Sequence, residues 1–147
     1  ITPVPSDTVA FELTLTPEEA DPIEMVRADG YDNANKWEFQ GETITQPVTK
    51  TFVHLNLGYC RDLADATVKT KAKGYKLADG RFRVAYRKKF PNPTRSIAVI
   101  FGGSEWLGPG VDRRVACLGG HGRSWYSSFY WSESGFYGYC RWVASRE

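Results

Sequence analysis

Apolar and polar residues alternate along much of this chain, and the alternation has the period of a half-buried β-strand. In DTVAFELTLT (7–16), Val9, Phe11, Leu13 and Leu15 share one face. KWEFQ (36–40) alternates through Trp37 and Phe39, and TKTFVHLNLGYC (49–60) through Phe52, His54 or Val53, Leu55, Leu57 and Tyr59. RFRVAYRKKF (81–90) and RSIAVIFGG (95–103) read as strands separated by PNPT. DRRVACL (112–118), WYSSFYW (125–131) and FYGYCRWVA (136–144) complete the series. The segment 62–77 carries two patterns: its start suits a helical turn, and Val68 to Leu77 alternates with lysines outside. Thr16-Pro17-Glu18-Glu19 predicts a short helix with a threonine cap, limited to about one turn by Pro22. ADG (78–80) predicts a hairpin turn. Short strands recurring at roughly 8–12 residue intervals, with Gly, Pro and Asp between them, point to an all-β fold: an antiparallel β-sandwich of short strands, or a barrel.

Composition narrows the function classes. A chain of 147 residues can bury a core without staples. A net charge of +2 is too small to imply nucleic acid, and no apolar run reaches the ~18 residues of a membrane span. The three cysteines, Cys60, Cys117 and Cys140, lack CxxC spacing; one disulfide with a free thiol, or none, fits. The chain begins at Ile1 and its only methionine is Met25, which suggests a processed chain or a domain of a longer one. ITPVPSD reads as a linker or docking arm. Two segments are expected: a β-rich N-terminal part (1–80), partly arm and either extra strands or a small module, and a second β-sandwich part (81–147).

Catalytic constellations are hard to find. His54 lies in an alternating strand and His121 in the glycine loop GGHGRS, with no serine or cysteine visibly paired to either. Glu105 and Glu133 are isolated loop carboxylates. DGYDNAN offers Asp29, Asp32, Asn33 and Asn35 as hard oxygen ligands suited to calcium, but it lacks the EF-hand spacing, and an Asp/Asn turn is the commoner use of such residues. No enzyme and no cofactor are therefore expected.

The remaining signal is aromatic. At 14%, aromatic residues are abundant, and SSFYWSESGFYGYCRWVA concentrates them on what reads as one hairpin. Indole and phenol rings stack on the apolar C–H face of a pyranose, while nearby polar side chains bind its hydroxyls. Phe136 and Trp142 suit the core. Trp131, at a strand end opening the turn WSESG, suits the surface.

Residues 82–147 resemble the H-type lectin domain, the six-stranded sandwich of snail agglutinins and slime-mould discoidins. In order, KKFPNP leads into RSIAVIFGG, then RRVAC, SSFYWSESGFY and CRWVAS. The C-terminal tips of phage tail fibres are similar, their last strand reading much like YCRWVAS. The resemblance implies a sugar site in which Arg114 hydrogen-bonds hydroxyls, Trp131 lies beside the ring and Tyr137 sits at the edge. Ser132 stands where the family often carries histidine, so a preference for N-acetylgalactosamine is not implied. The family's acidic sugar ligand has no counterpart assigned in this sequence. By resemblance the chain is an extracellular lectin or adhesin, secreted or on a surface fibre, that binds a glycan on a cell surface or glycoprotein. It is a homo-oligomer with a trimer favoured. The alternative is a trimeric receptor-binding fibre tip. A membrane-active protein using its rings as an interfacial belt is a third class, without an amphipathic helix to support it.

Overall fold

The computed structural model describes residues 2–147; Ile1, the first residue of the N-terminal ITPVPSD segment, lies outside them. The first strand, β1 (Phe11–Leu15), shows the alternation foreseen: Phe11, Leu13 and Leu15 are buried, Glu12 and Thr14 exposed. Helix α1 (Pro22–Ala28) starts where the sequence suggested a stop. Asp21 caps it, its carboxylate accepting from the backbone N–H groups of Ile23 and Glu24 at 3.1 Å each, with Pro22 at its first position. Proline lacks an N–H, which no residue of a first helical turn can use within the helix, so Pro22 begins a helix as readily as it ends one. A single 3-10 turn (Ala34–Lys36) leads into β2 (Glu38–Gln40), followed by β3 (Val48–Leu55).

The ambiguous segment divides into helix α2 (Leu63–Ala72), capped by Asp62, and a short β4 (Tyr75–Leu77). The segment read as a strand at 81–90 is helix α3 (Phe82–Lys89). Its buried apolar positions, Phe82, Ala85 and Tyr86, with Phe90 beyond the end, are spaced by three and four, the period of a helix. The apparent alternation depended on Val84, which is only partly buried. Strands β5 (Ala98–Leu107), β6 (Arg113–His121), β7 (Ser124–Trp131) and β8 (Cys140–Arg146) finish the chain.

The eight strands form one curled mixed sheet in the order β1-β3-β8-β5-β6-β7, with β4 pairing β8 and β2 pairing β5. The chain is mostly β, but the all-β antiparallel sandwich does not describe it. Among the described residues three helices are present, and β5 runs parallel to β8, with Ala98 opposite Cys140 and Ile100 opposite Trp142. The aromatic-rich C-terminal stretch is consequently not one hairpin: β7 lies at the sheet edge beside β6, while β8 returns to the middle between β3 and β5. Strands β1 to β4, from residues 1–80, share this sheet with β5 to β8.

Both sheet faces are covered. On one face Phe11, Val26, Tyr86, Phe101, Trp106 and Val143 pack with helices α1 and α3. On the other, Leu55, Leu63, Ala66, Ile100 and Trp142 pack with α2. This explains why Phe52, Val53, His54 and Leu55 of β3 are all buried in succession. The N-terminal residues fold back onto the sheet. Val4 donates its N–H to Thr94 Oγ1 at 2.9 Å, and Asp7 accepts from Arg95 (2.9 Å) and Arg141 (3.0 Å). Burial pushes the Asp7 carboxyl up, but its hydrogen bonds from the two arginines and their charges outweigh this and hold it below the usual carboxylate range. No helix among the described residues is long and apolar enough to cross a membrane.

Candidate functional site

Strands β6 and β7 pair antiparallel with Arg114 directly opposite Trp131. Directly opposed residues project from the same sheet face, so the register brings these two side chains together. The Arg114 guanidinium carbon lies 4.8 Å from the Trp131 ring centre and 4.9 Å from that of Trp37, with Tyr31 at 5.9 Å. Planar guanidinium on indole is a favourable cation–π contact, worth about 0.5–2 kcal/mol depending on desolvation. Tyr31 and Trp37 come from the loop after α1. Their rings are 4.8 Å apart, and the Trp37 indole N–H donates to Asn33 Oδ1 at 3.1 Å. Trp37 is buried while the Trp131 ring is 48% exposed, so the guanidinium has an interior indole and an outer one.

The loop between β5 and β6 supplies a carboxylate. Arg114 Nε donates to Asp112 Oδ2 at 2.5 Å, and this bond holds the Asp112 carboxyl below its ordinary range. That is the only side-chain hydrogen bond Arg114 makes among the described residues, leaving Nη1 and Nη2 unengaged. Asp112 Oδ1 packs against Gly108, where an added Cβ would come within 2.6 Å of it. Val111, just before Asp112, adopts φ 58°, a left-handed conformation that a β-branched residue strongly resists. The cluster therefore combines a half-exposed indole, two free guanidinium donors and a carboxylate acceptor.

Of the four site residues expected from sequence, Arg114 and Trp131 meet here, and Ser132 and Tyr137 do not. Ser132 follows Trp131 and turns to the opposite face, where it is buried; its carbonyl accepts from the Leu63 N–H at 2.8 Å. Tyr137 is exposed on that same opposite face, its ring parallel to Tyr139 (6.2 Å, 11°) and 5.9 Å from Tyr59. The geometry adds three residues that sequence reasoning missed. Trp37 and Tyr31 are distant in the chain, and Asp112 carried only a weak signal, its position between a glycine-proline turn and two arginines.

Several of the catalytic and metal candidates are engaged elsewhere. His54 is buried, its Nε2 2.8 Å from the Tyr86 hydroxyl, and burial with the nearby Arg95 charge pushes it down to about 4. Cys60, Cys117 and Cys140 are free and buried; burial pushes Cys140 up to about 11, and raises the other two. In the loop read as a calcium candidate, Asp29 pairs with Arg83 and Asn33 with Trp37. Among the described residues no group of three or more His, Cys, Asp or Glu side chains could hold a metal ion. No family model, curated protein or solved structure matches this chain.

Proposed function

We propose that this chain is a carbohydrate-binding module, a lectin or adhesin that recognises a cell-surface glycan without catalysis. The observation that carries the reading is the half-exposed Trp131 indole beside Arg114, whose terminal nitrogens are unengaged. A pyranose stacked on Trp131 buries its C–H face, with Arg114 Nη1 and Nη2 donating to hydroxyls and Asp112 Oδ1 accepting from one. Asp112 takes the part of the acidic ligand, for which the resemblance supplied no counterpart. Because the guanidinium is held by Asp112 and by Trp37, little side-chain freedom is lost on binding.

Support from the H-type lectin resemblance is limited to Arg114 and Trp131, which the fold brings together. Ser132 and Tyr137 are outside the proposed site, and the helices and parallel strand pair differ from the sandwich of that family. The reading accordingly rests on the cluster. In this reading the module is displayed outside the cell, and the resemblance makes a homotrimer the expected assembly.

A glycan array tests the proposal, run with light scattering on the same sample. Wild type should bind a defined set of glycans. Trp131→Ala should lose that binding while staying folded, and Arg114→Lys, which keeps the charge but not the planar fork, should lose most of it. Silence across the array from folded protein, or full binding by both variants, overturns the proposal. Silence from a confirmed trimer would favour a protein-binding fibre tip.

A further inference from the structure

On the sheet face opposite Arg114 and Trp131, a groove of about 150 Å³ opens between strands β5 to β7 and the segment leading into β8. Its floor is Ala98 and Ile100 of β5 with Cys117 and Gly119 of β6, and Phe136 closes one side. Its rim carries Tyr126, Tyr137 and Tyr139, all exposed. The Tyr130 hydroxyl, which also borders it, is already committed to the Gly135 carbonyl at 2.9 Å. No lining residue is an acid or a base of ordinary charge at neutral pH. Both thiols in it stay protonated, because burial raises them.

We propose that this groove binds a neutral, single-ring aromatic ligand, with its ring on the apolar floor and any polar substituent at the tyrosine hydroxyls. Size, polarity and charge each restrict the occupant. An apolar protein cavity of about 150 Å³ accommodates one benzene ring. The floor offers methyl and thiol groups, and the Cys117 thiol is already paired with Ser128 Oγ at 3.0 Å. A pyranose there would leave hydroxyls without partners, at a cost that an aromatic ring avoids. A charged ligand would meet no counter-charge in the lining. An aromatic ring instead finds edges and faces to meet: Phe136 and Tyr130 already pack at 4.9 Å with a 61° tilt, the arrangement aromatic pairs favour. This site stands independently of the glycan proposal, since its residues lie on the other face.

Gly119 provides the means of blocking the groove. A Cβ added there comes no closer than 4.0 Å to the Tyr126 carbonyl oxygen, so Gly119→Leu extends a side chain into the groove without striking the backbone. Ala98→Leu fills it from β5 and serves as a second blocking variant. The probe is p-cresol, titrated into the full chain and followed by methyl and amide NMR shifts. The expected result is saturable shifts of the Ala98 and Ile100 methyl signals, with a dissociation constant at or below about 1 mM. Binding should weaken at least tenfold in either blocking variant that keeps its fold, and should be unchanged in Trp131→Ala. Benzoate, the same ring with a charge, should bind at least tenfold more weakly. Absence of saturable shifts at Ala98 and Ile100, equal affinity in the blocked variants, or tighter binding by benzoate or a methyl galactoside overturns the proposal.

Discussion

Removing the Asp29 carboxylate should be among the most damaging single changes to this protein. Asp29 follows α1 and Arg83 lies in α3, 54 residues apart in sequence. Their bond is bidentate, at 2.8 and 2.9 Å, with side chains only 4% and 6% exposed. Arg83 also donates to the Ser128 carbonyl at 3.0 Å and lies 4.9 Å from the Phe129 ring centre. Phe129 in turn packs on Trp37 at 5.5 Å and on Tyr31 at 6.1 Å. The pair thus anchors the loop that places both rings over Arg114. Asp29→Ala leaves a buried guanidinium without its counter-charge, which costs about 3–5 kcal/mol out of a total stability of about 5–15 kcal/mol. With a urea slope of about 2 kcal/mol/M, the unfolding midpoint should fall by about 1.5–2.5 M. The internal control is Glu24→Ala. It breaks the Glu24–Arg27 pair, whose side chains are 55% and 56% exposed, and should change stability by no more than about 0.5 kcal/mol. Replacing both buried partners with apolar residues, Asp29→Leu with Arg83→Met, should recover most of the loss. A loss below about 1 kcal/mol for Asp29→Ala, or one no larger than for Glu24→Ala, would refute the assignment of a tightly desolvated pair.

Two further predictions concern stability. His54 is held at about 4 in the fold by burial and the Arg95 charge against about 6.5 when unfolded, so between these values the unfolded chain binds more protons. Stability should therefore be fully present above about pH 6.5 and fall by about 2–3 kcal/mol on acidification to pH 4.5. His54→Gln should flatten that slope in urea unfolding at the two pH values; an unchanged slope would show that another group is responsible. Val111 is exposed and holds φ 58°, so Val111→Gly should relieve strain of about 1–2 kcal/mol, partly offset by added unfolded-state freedom. A net gain of about 0.5–1 kcal/mol in thermal unfolding is expected, and a loss would mean the side chain makes a contact of greater value.

Strand alternation was the most legible feature of the sequence, because a strand buried on one face writes period two directly into the chain. It located β1, β3 and β5 to β7 to within a few residues. In β8, Cys140, Trp142 and Ala144 enter one core and Val143 the other, as strand alternation requires. It failed at α3, where three residues spaced by two imitated a strand until the burial of Ala85 and Phe90 revealed the helical period. It also could not show that β8 leaves β7 and crosses to the middle of the sheet, since pairing partners are chosen by tertiary packing rather than local pattern. For the candidate site, the exposed Trp131 and its neighbour Arg114 were readable, one from its turn and the other from resemblance. Tyr31 and Trp37 were not, because they reach Arg114 through the Asp29–Arg83 anchor, a contact between distant segments. Ser132 and Tyr137 were placed with Trp131 by the family resemblance, whereas the strand's period and the following turn send them to the other face.

The most direct test of sugar recognition at Arg114 and Trp131 is calorimetric titration of wild type and Trp131→Ala with a glycan selected from the array. Wild type should bind saturably. Loss of the stacking ring should weaken binding by at least tenfold, equivalent to about 1.4 kcal/mol, with the fold retained in circular dichroism. Equal affinity in a folded Trp131→Ala protein would contradict the assignment of glycan binding to this cluster.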